Sequence, residues 1–386
     1  MTTQVSSKSG LAKLKELYQD RQLRVRELKQ QGVKVVGYFC CYPPLELITA
    51  ANLLPYRIQG DVREPITQAD AYLETIMCPF VRSTFDLALK GRYDFLDGMV
   101  MPHSCDTVER LYNVWRFYHK PDYMYSINVP HMLHHGSGEF FKHEIQTFKK
   151  SLEEFTGQEI TQEKLRQAVE LHNRNRRLLR QLYQLRKSSP PLLSGTEVME
   201  IVVAGMTIPA AEFGDLLEAA IAEIQQRNQG PQPGARVMIY GSEIDDIAFV
   251  ELVESCGANV VMDDLCTGTR QFWVDVEPTP DPLDGITKRY LTRVVCPRTY
   301  KNRKPTRQED FESRFSYLKQ YAQEFNVAGV ILYIIRYCDT HELDVPSIRN
   351  YLEAAGYSVL HLEDDYSVTT IGQLRTRVQA FTEVIG

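Results

Sequence analysis

A strand–helix alternation runs through residues 33–130, stops, and returns in the same order from residue 235 onward. No other feature constrains the fold of this 386-residue chain as strongly. In the first stretch "VKVVGYF" (33–39), "LPYRIQGD" (54–61), "FLDGMVMPHSC" (95–105) and "YMYSINVP" (123–130) carry short apolar runs that predict strands. "PPLELITAANLLP" (43–55), "PFVRSTFDLALKG" (79–91) and "DTVERLYNVWRFYH" (106–119) predict the helices among them. In the second stretch "ARVMIYG" matches "VKVVGYF", and "FVELVESCGANVVMDD" takes the place of "LELITAANLLPYRI". "NVAGVILYIIRYCD" matches "RYDFLDGMVMPHSCD", and "YSVLHLEDD" matches "YMYSINVP". Strands alternating with helices imply a parallel, doubly wound sheet in an α/β fold. A period the size of a domain implies duplication rather than a solenoid.

Residues 139–230 interrupt the pattern with long helical stretches and no clear strand, and "QGPQPGA" (229–235) reads as a linker. The expected division is 1–138 (an N-terminal helix and the first α/β domain), 139–230 (a helical region) and 231–386 (the second α/β domain). Leu11, Leu14, Tyr18, Val25 and Leu28 share one face of a predicted helix over 11–31. The start, "MTTQVSSKSGLAKLKELYQDRQ", lacks an apolar signal core and reads as an exposed amphipathic helix. A net charge of −6 argues against nucleic acid as the main partner. No apolar run reaches the roughly 18 residues a membrane span needs. A cytoplasmic chain is expected, with its thiols reduced.

Eight cysteines are present, and any one alone reads as core packing. Their contexts recur, however. The first half carries Cys40-Cys41, Cys78 in "IMCPFVR" and Cys105 in "HSCDT"; the second carries Cys266 in "DDLCTG", Cys296 in "VVCPRTY" and Cys338 in "RYCDT". Cys-Pro and Cys-Asp-Thr appear in the same order in both. Cys40, Cys41, Cys105 and Cys338 sit just past predicted strands, where parallel sheets bind ligands. Cys78 and Cys296 precede proline, which suits the first turn of a helix, and a helix N-terminus favours a thiolate. Cys266 departs from the symmetry, because it follows the second strand of its half while Cys40 and Cys41 follow the first of theirs. Each half still assembles three thiolates at one sheet edge. Structural zinc uses closely paired ligands such as C-x₂-C, and none occurs here. Widely spaced cysteines fit an iron–sulfur site better, and three thiolates leave one iron of a cubane without a cysteine. Cys256 reads as core, and one of Cys40 and Cys41 is expected to ligate.

Other polar residues are weaker candidates. His103 precedes Cys105 by two residues, and Arg336 and Asp339 flank Cys338; each is placed to donate a hydrogen bond or proton near the sulfurs. Arg82 either brings charge to the site or pairs with Asp86. His131, His134 and His135 read as a polar loop rather than a metal site. Glu46, Asp263 and Asp264 read as helix-surface or turn carboxylates before proton donors. There is no G-x-x-x-x-G-K-[ST] and no G-x-G-x-x-G after a strand, so neither ATP hydrolysis nor a nicotinamide cofactor is expected.

These elements resemble the 2-hydroxyacyl-CoA dehydratase and benzoyl-CoA reductase superfamily, and within it the double-cubane cluster proteins, over nearly the full length. "CCYPPLELITAANLLP" is similar to the family's C-x-Y-x-P-x-E-L-I-x-A-A-G-x-x-P element, with Asn52 in place of glycine. "LEEFTGQEITQEKLRQAVELHNRNRRLL" resembles its helical signature; "ESCGANVVMDDLCTGTR" and "RYCDTHELDVPSIRNYLEAAGYSVLHLEDD" resemble its C-terminal elements. The resemblance implies two flavodoxin-like domains plus a helical region, iron–sulfur clusters, dimers, and a separate ATP-hydrolysing [4Fe–4S] reductase as electron donor. A trio in each half implies two facing cubanes sharing a sulfide, the double-cubane [8Fe–9S] arrangement. Cys40 or Cys41, Cys78, Cys105, Cys266, Cys296 and Cys338 would bind it in a homodimer that reduces a small molecule. The alternatives are a 2-hydroxyacyl-CoA dehydratase subunit with one [4Fe–4S] cluster and a non-catalytic electron-transfer protein.

Overall fold

A computed structural model describes residues 9–300 and 303–386; the expectation for residues 1–8 lies outside them. The first part contains α1 (Gly10–Gln19), α2 (Leu23–Gln30), β1 (Val35–Tyr38), α3 (Leu45–Ala50), β2 (Leu54–Arg57), α4 (Pro79–Leu89), β3 (Gly98–Pro102), α5 (Asp106–Tyr118) and β4 (Tyr123–Ile127). Four helices follow: α6 (Ser137–Thr156), α7 (Gln162–Gln184), α8 (Gly195–Gly205) and α9 (Ala210–Gln225). The last part contains β5 (Ala235–Gly241), α10 (Ala248–Ser255), β6 (Ala258–Asp264), α11 (Thr269–Phe272), α12 (Pro282–Lys288) and α13 (Arg307–Glu324). It ends with β7 (Gly329–Ile335), α14 (Asp339–Glu342), α15 (Val345–Ala354), β8 (Ser358–Asp364) and α16 (Ile371–Ile385).

The two sheets are four-stranded, all parallel, and ordered alike: β2-β1-β3-β4 and β6-β5-β7-β8. Register makes the duplication explicit. Val36 pairs with Gly98 across β1 and β3, and Val237 pairs with Gly329 across β5 and β7. The return turns repeat as well. Each of the six connections from a helix into β2, β3, β4, β6, β7 and β8 passes through a left-handed residue: Asn52, Gly91, Lys120, Gly257, Asn326 and Gly356. Asn52 has φ 58° and Gly257, its counterpart before β6, has φ 85°. Asparagine is among the few side chains that accept this conformation, which explains its place where the similar family element has glycine.

The helical region lies between the halves. α7 packs on α3 and on α11 and α12, while α8 packs on α10 and β6. The N-terminal expectation is corrected in two ways. The helix over 11–31 is broken into α1 and α2, because the Asp20 carboxylate turns back to accept from the Gln22 N–H. It is also not an exposed helix: α1 packs on α8 and α9 and buries Leu14, Leu17 and Tyr18. α8 was not foreseen; a capping box between Ser194 and Glu197 starts it, and its valines and isoleucine are buried on both flanks. No helix among the described residues is long and apolar enough to cross a membrane.

Candidate metal centre

All parallel strands of a sheet release their carboxyl ends on one side, and the two halves turn these ends toward each other. One cavity forms between them, and Cys40, Cys78, Cys105, Cys266, Cys296 and Cys338 all line it. It holds about 760 Å³ of space between atoms, part of it open to solvent. Cys40 lies two residues past β1 and Cys266 two past β6, while Cys105 and Cys338 are the N-caps of α5 and α14. Cys78 is the N-cap of α4 with Pro79 in the first turn, as expected. Cys296-Pro297 opens no helix; the Thr299 N–H closes a tight turn on the Cys296 carbonyl.

The other predicted residues fall elsewhere. Cys41 is 2% exposed, belongs to the buried cluster that includes Leu47, Ile48 and Tyr290, and does not line the cavity. Cys256 ends α10 on the core's edge. His103 is half-buried with its ring against His131, and Arg336 is exposed; neither lines the cavity, whereas Asp339 does. Arg82 pairs with Asp70, not Asp86, because Asp86 turns inward to accept from the N–H groups of Thr67, Gln68 and Ala69. His134 and His135 are exposed in a loop. Asp263 accepts from Tyr183, and Asp264 holds Arg270 at 2.9 Å. Glu46 is wholly buried against Arg176.

Several groups that the sequence did not single out line the cavity, as Arg298 and His341 do, or hold its cysteines from behind, and most join the halves. Arg298, on the Cys296 turn, reaches into the first half and donates to the carbonyls of His103, Ser104, Val129 and Pro130 at 2.9–3.2 Å. Its guanidinium lies over the Tyr42 ring. Among the described residues it makes no ion pair with a carboxylate, yet it is 6% exposed. Gln271 donates to the Cys40 carbonyl at 3.4 Å and the Cys266 carbonyl at 3.1 Å. Arg57 donates to the Cys40 carbonyl and, through Nη2, to both carboxylate oxygens of Glu243 of the second half at 2.7 and 2.8 Å. Arg270 Nη1 lies 3.4 Å from Cys266 Sγ and 2.9 Å from His341 Nε2; His341 Nδ1 lies 3.4 Å from Cys338 Sγ. The sequence carried a faint signal for three of these: Arg298, Arg270 and His341 follow cavity cysteines by two, four and three residues.

Residues 40–385 match the family described as "2-hydroxyglutaryl-CoA dehydratase, D-component", a match that begins at the first cavity cysteine. The chain belongs to this family. It is 25% identical to the (R)-phenyllactyl-CoA dehydratase beta subunit of Clostridium sporogenes, with 94% of each chain covered. It is 28% identical to the putative dehydratase subunit YjiM of Escherichia coli (strain K12), again over 94% of each. It is 27% identical to one of the subunits of the benzoyl-CoA reductase of Thauera aromatica, over 90% of each. These are subunits of dehydratases and of a reductase, so the family is one of enzyme components that work in assemblies.

The electrostatics of this family member's cavity are unusual for a set of thiols. Burial pushes up the pKa of Cys78, Cys105, Cys266 and Cys296, and that of Cys338 to about 12; neighbouring cysteine charges add to the effect at all five, while the Arg270 charge opposes it at Cys266 and Cys296. Cys40 goes the other way, to about 6, because Cys41 donates to its sulfur from 4.0 Å and Arg57 adds positive charge. In the metal-free chain five cavity thiols are thus held in the protonated form at neutral pH, while Cys40 ionises more readily than an ordinary thiol. Buried thiols that cannot ionise alone become thiolates when a cation takes the proton's place, so loading such a site releases protons. Among the described residues no group of three His, Cys, Asp or Glu side chains is gathered to hold one ion. A cluster asks for a different arrangement, since each of its thiolates binds a separate iron. Six thiols, a roomy cavity and a buried guanidinium without a carboxylate fit an anionic iron–sulfur group.

Proposed function

We propose that the chain is the substrate-reducing component of an ATP-dependent low-potential reductase, built around a double-cubane [8Fe–9S] cluster. The observation that carries this reading is the convergence of six cysteines, three from each half, on one cavity walled by Arg298. A buried charge needs a partner, and thiolates carrying a cluster are that partner for Arg298. When bound, the cluster supplies one-electron reduction at very low potential, at irons that lack a cysteine. The protein's own residues hold it: Cys40, Cys78 and Cys105 on one side, Cys266, Cys296 and Cys338 on the other. Cys40 is the ligand of its pair, since it faces the cavity and Cys41 does not.

In this reading the halves are flavodoxin-like domains, supported by their shared strand order. Their extents are 1–138 and 231–386, with the helical region 139–230 between them. The chain acts in the cytoplasm as a homodimer, receives electrons from an ATP-hydrolysing [4Fe–4S] protein, and reduces a small molecule. The names of two relatives favour a second reading. The lactoyl-CoA and (R)-2-hydroxyglutaryl-CoA dehydratase beta subunits are each 24% identical. A dehydratase subunit would hold one [4Fe–4S] cluster, bind an acyl-CoA and need an unlike partner.

Iron and acid-labile sulfide per chain, measured after oxygen-free purification, decide between the two. About eight irons with about nine sulfides support the double cubane. About four irons overturn it in favour of the dehydratase subunit.

A further inference from the structure

The two ends of the cavity offer their sulfurs different partners. In the first half, Cys78 faces the N–H groups of Phe80 and Val81, and Cys105 faces those of Thr107 and Val108 with Ser104 beside it. Arg57 brings positive charge near Cys40, but it donates to the Cys40 carbonyl and not to the sulfur. In the second half the N–H groups of Arg298 and His341 face Cys296 and Cys338 in the same way, but side chains join them at the sulfurs, and one of these is a cation. Arg270 is buried and held in place: Nη2 donates to the Asp264 carboxylate at 2.9 Å and to the Asp264 carbonyl at 3.0 Å. Its Nη1 carries two protons and faces three acceptors: the Gly241 carbonyl at 2.8 Å, His341 Nε2 at 2.9 Å and Cys266 Sγ at 3.4 Å.

A guanidinium can only donate. His341 Nε2 must therefore present its lone pair, and the ring's proton sits on Nδ1. That nitrogen is 3.4 Å from Cys338 Sγ and 3.3 Å from Thr340 Oγ1. Once Cys338 is a thiolate, the sulfur is the charged acceptor and takes the stronger bond. Two protons serve three acceptors, so Arg270 reaches the Cys266 sulfur through a shared proton and, through the tautomer it imposes, fixes a donor on a second sulfur. Hydrogen bonds to cluster sulfurs stabilise the extra negative charge of the reduced state and raise the reduction potential.

We propose that Arg270 and His341 are a positioning pair that donates to the Cys266 and Cys338 sulfurs and makes the second-half end the seat of the first electron. The electron comes from the ATP-hydrolysing donor protein, so the inference rests on the iron–sulfur reading above. No bond is made or broken: the donor is oxidised by one electron and the second-half end is reduced by one. Neither residue touches substrate in this role.

The test is the one-electron reduction potential of the oxygen-free, full-length protein, read together with iron content. His341→Ala at full iron content should shift the reduction equilibrium roughly tenfold toward the oxidised form, about 59 mV for one electron. His341→Gln, which keeps an amide N–H donor, should recover at least half of that shift. Ser104→Ala, at the other end, should move the potential much less. An unchanged potential in His341→Ala, or an equal shift in Ser104→Ala, would overturn the proposal. Variants that fail to load iron still leave a readout in the metal-free wild-type chain: the tautomer of His341 by nitrogen-15 NMR. A proton on Nδ1 supports the pair, and a proton on Nε2 or a doubly protonated ring at neutral pH overturns it. Iron binding by the wild-type chain judges the iron–sulfur reading separately: a wild-type chain without iron overturns that reading and the electron seat, while the tautomer is decided on its own.

Discussion

Glu46→Gln should loosen the joint between all three parts of the molecule while leaving every cavity cysteine in place. Glu46 lies on α3, just past the Cys40-Cys41 turn, and is 0% exposed. Its carboxylate accepts from Arg176 of α7 and, at 2.9 Å, from the Tyr290 hydroxyl of the second half. Arg176 in turn holds Asn173 at 2.8 Å, and Asn173 bonds both backbone groups of Val276. Burial alone would raise the pKa of Glu46; the Arg176 charge, followed by those of His172 and Arg289, more than reverses this and holds it at about 2. The difference from the ordinary 4.5 is worth about 3 kcal/mol of stability at neutral pH. A depressed carboxyl stabilises above its unfolded pKa and loses that contribution as pH falls toward the folded one. Here the window runs from 4.5 down to about 2, and roughly half the contribution is gone at pH 3. Removing one partner of a buried pair gives an independent figure of about 3–5 kcal/mol. Urea unfolding of metal-free wild type and Glu46→Gln should therefore differ by about 3–5 kcal/mol at pH 7 and by much less at pH 3. Adding Arg176→Met should restore part of the loss, since the uncompensated cation goes too. A loss below about 1 kcal/mol, or a gap that does not narrow in acid, would show that Glu46 is not an ionised keystone.

Three further outcomes bear on the cavity. Cys296→Ser should collapse iron content, and a variant with unchanged iron would remove this residue from the ligand set. In the metal-free chain Cys40 should be alkylated half-maximally near pH 6, long before the other cavity thiols. Cys41→Ala should move that point toward the ordinary 9.0 while sparing iron content; loss of iron in Cys41→Ala would reverse the choice between the pair. Arg298→Met should weaken both fold and loading, because four first-half carbonyls lose their donor and the thiolates lose a cation. Thermal unfolding unchanged from wild type would mean that water satisfies those carbonyls.

What was legible in the sequence was what repeats locally. A strand followed by a helix leaves its mark in hydrophobic period and turn chemistry, and two copies in the same order confirm each other. Asn52 stood out in the place of a family glycine, and the structure pairs it with Gly257 because backbone conformation restricts the choice of side chain at such turns. Cys78, Cys105, Cys296 and Cys338 stood out because their neighbours recur. The partners of those cysteines left little trace. Arg298 meets Ser104 across 194 positions of chain, and Arg57 meets Glu243 across 186. A charge's partner over such distances is set by how the halves dock, which no local pattern records. Local rules also misled where tertiary packing prevailed. Proline after Cys296 promised a helix start, but the chain there directs its hydrogen bonds to the first half instead. His103 and Arg336 were plausible by proximity in sequence alone, yet one turns to His131 and the other to solvent.

The docking of two similar halves also explains why the cavity tolerates so much charge. Each parallel sheet ends in turns whose backbone carbonyls need donors, and in a single domain water would supply them. Here the second half supplies Arg298 to the carbonyls of the first, and Gln271 bridges a carbonyl from each. These donors are cationic or polar, so closing the interface buries positive charge beside the thiols. Arg57 and Arg270 carry their own carboxylates, Glu243 and Asp264. Arg298 does not, and an interior with a surplus cation is stable when its contents are anionic. In the metal-free chain the surplus charge favours the thiolate of Cys40, the one cavity sulfur whose pKa is lowered. A neutral ligand would leave that balance unaltered and five thiols unused. In the proposed reading, iron bound by six thiolates would use every sulfur on the wall and supply the negative charge that the arginines are placed to meet.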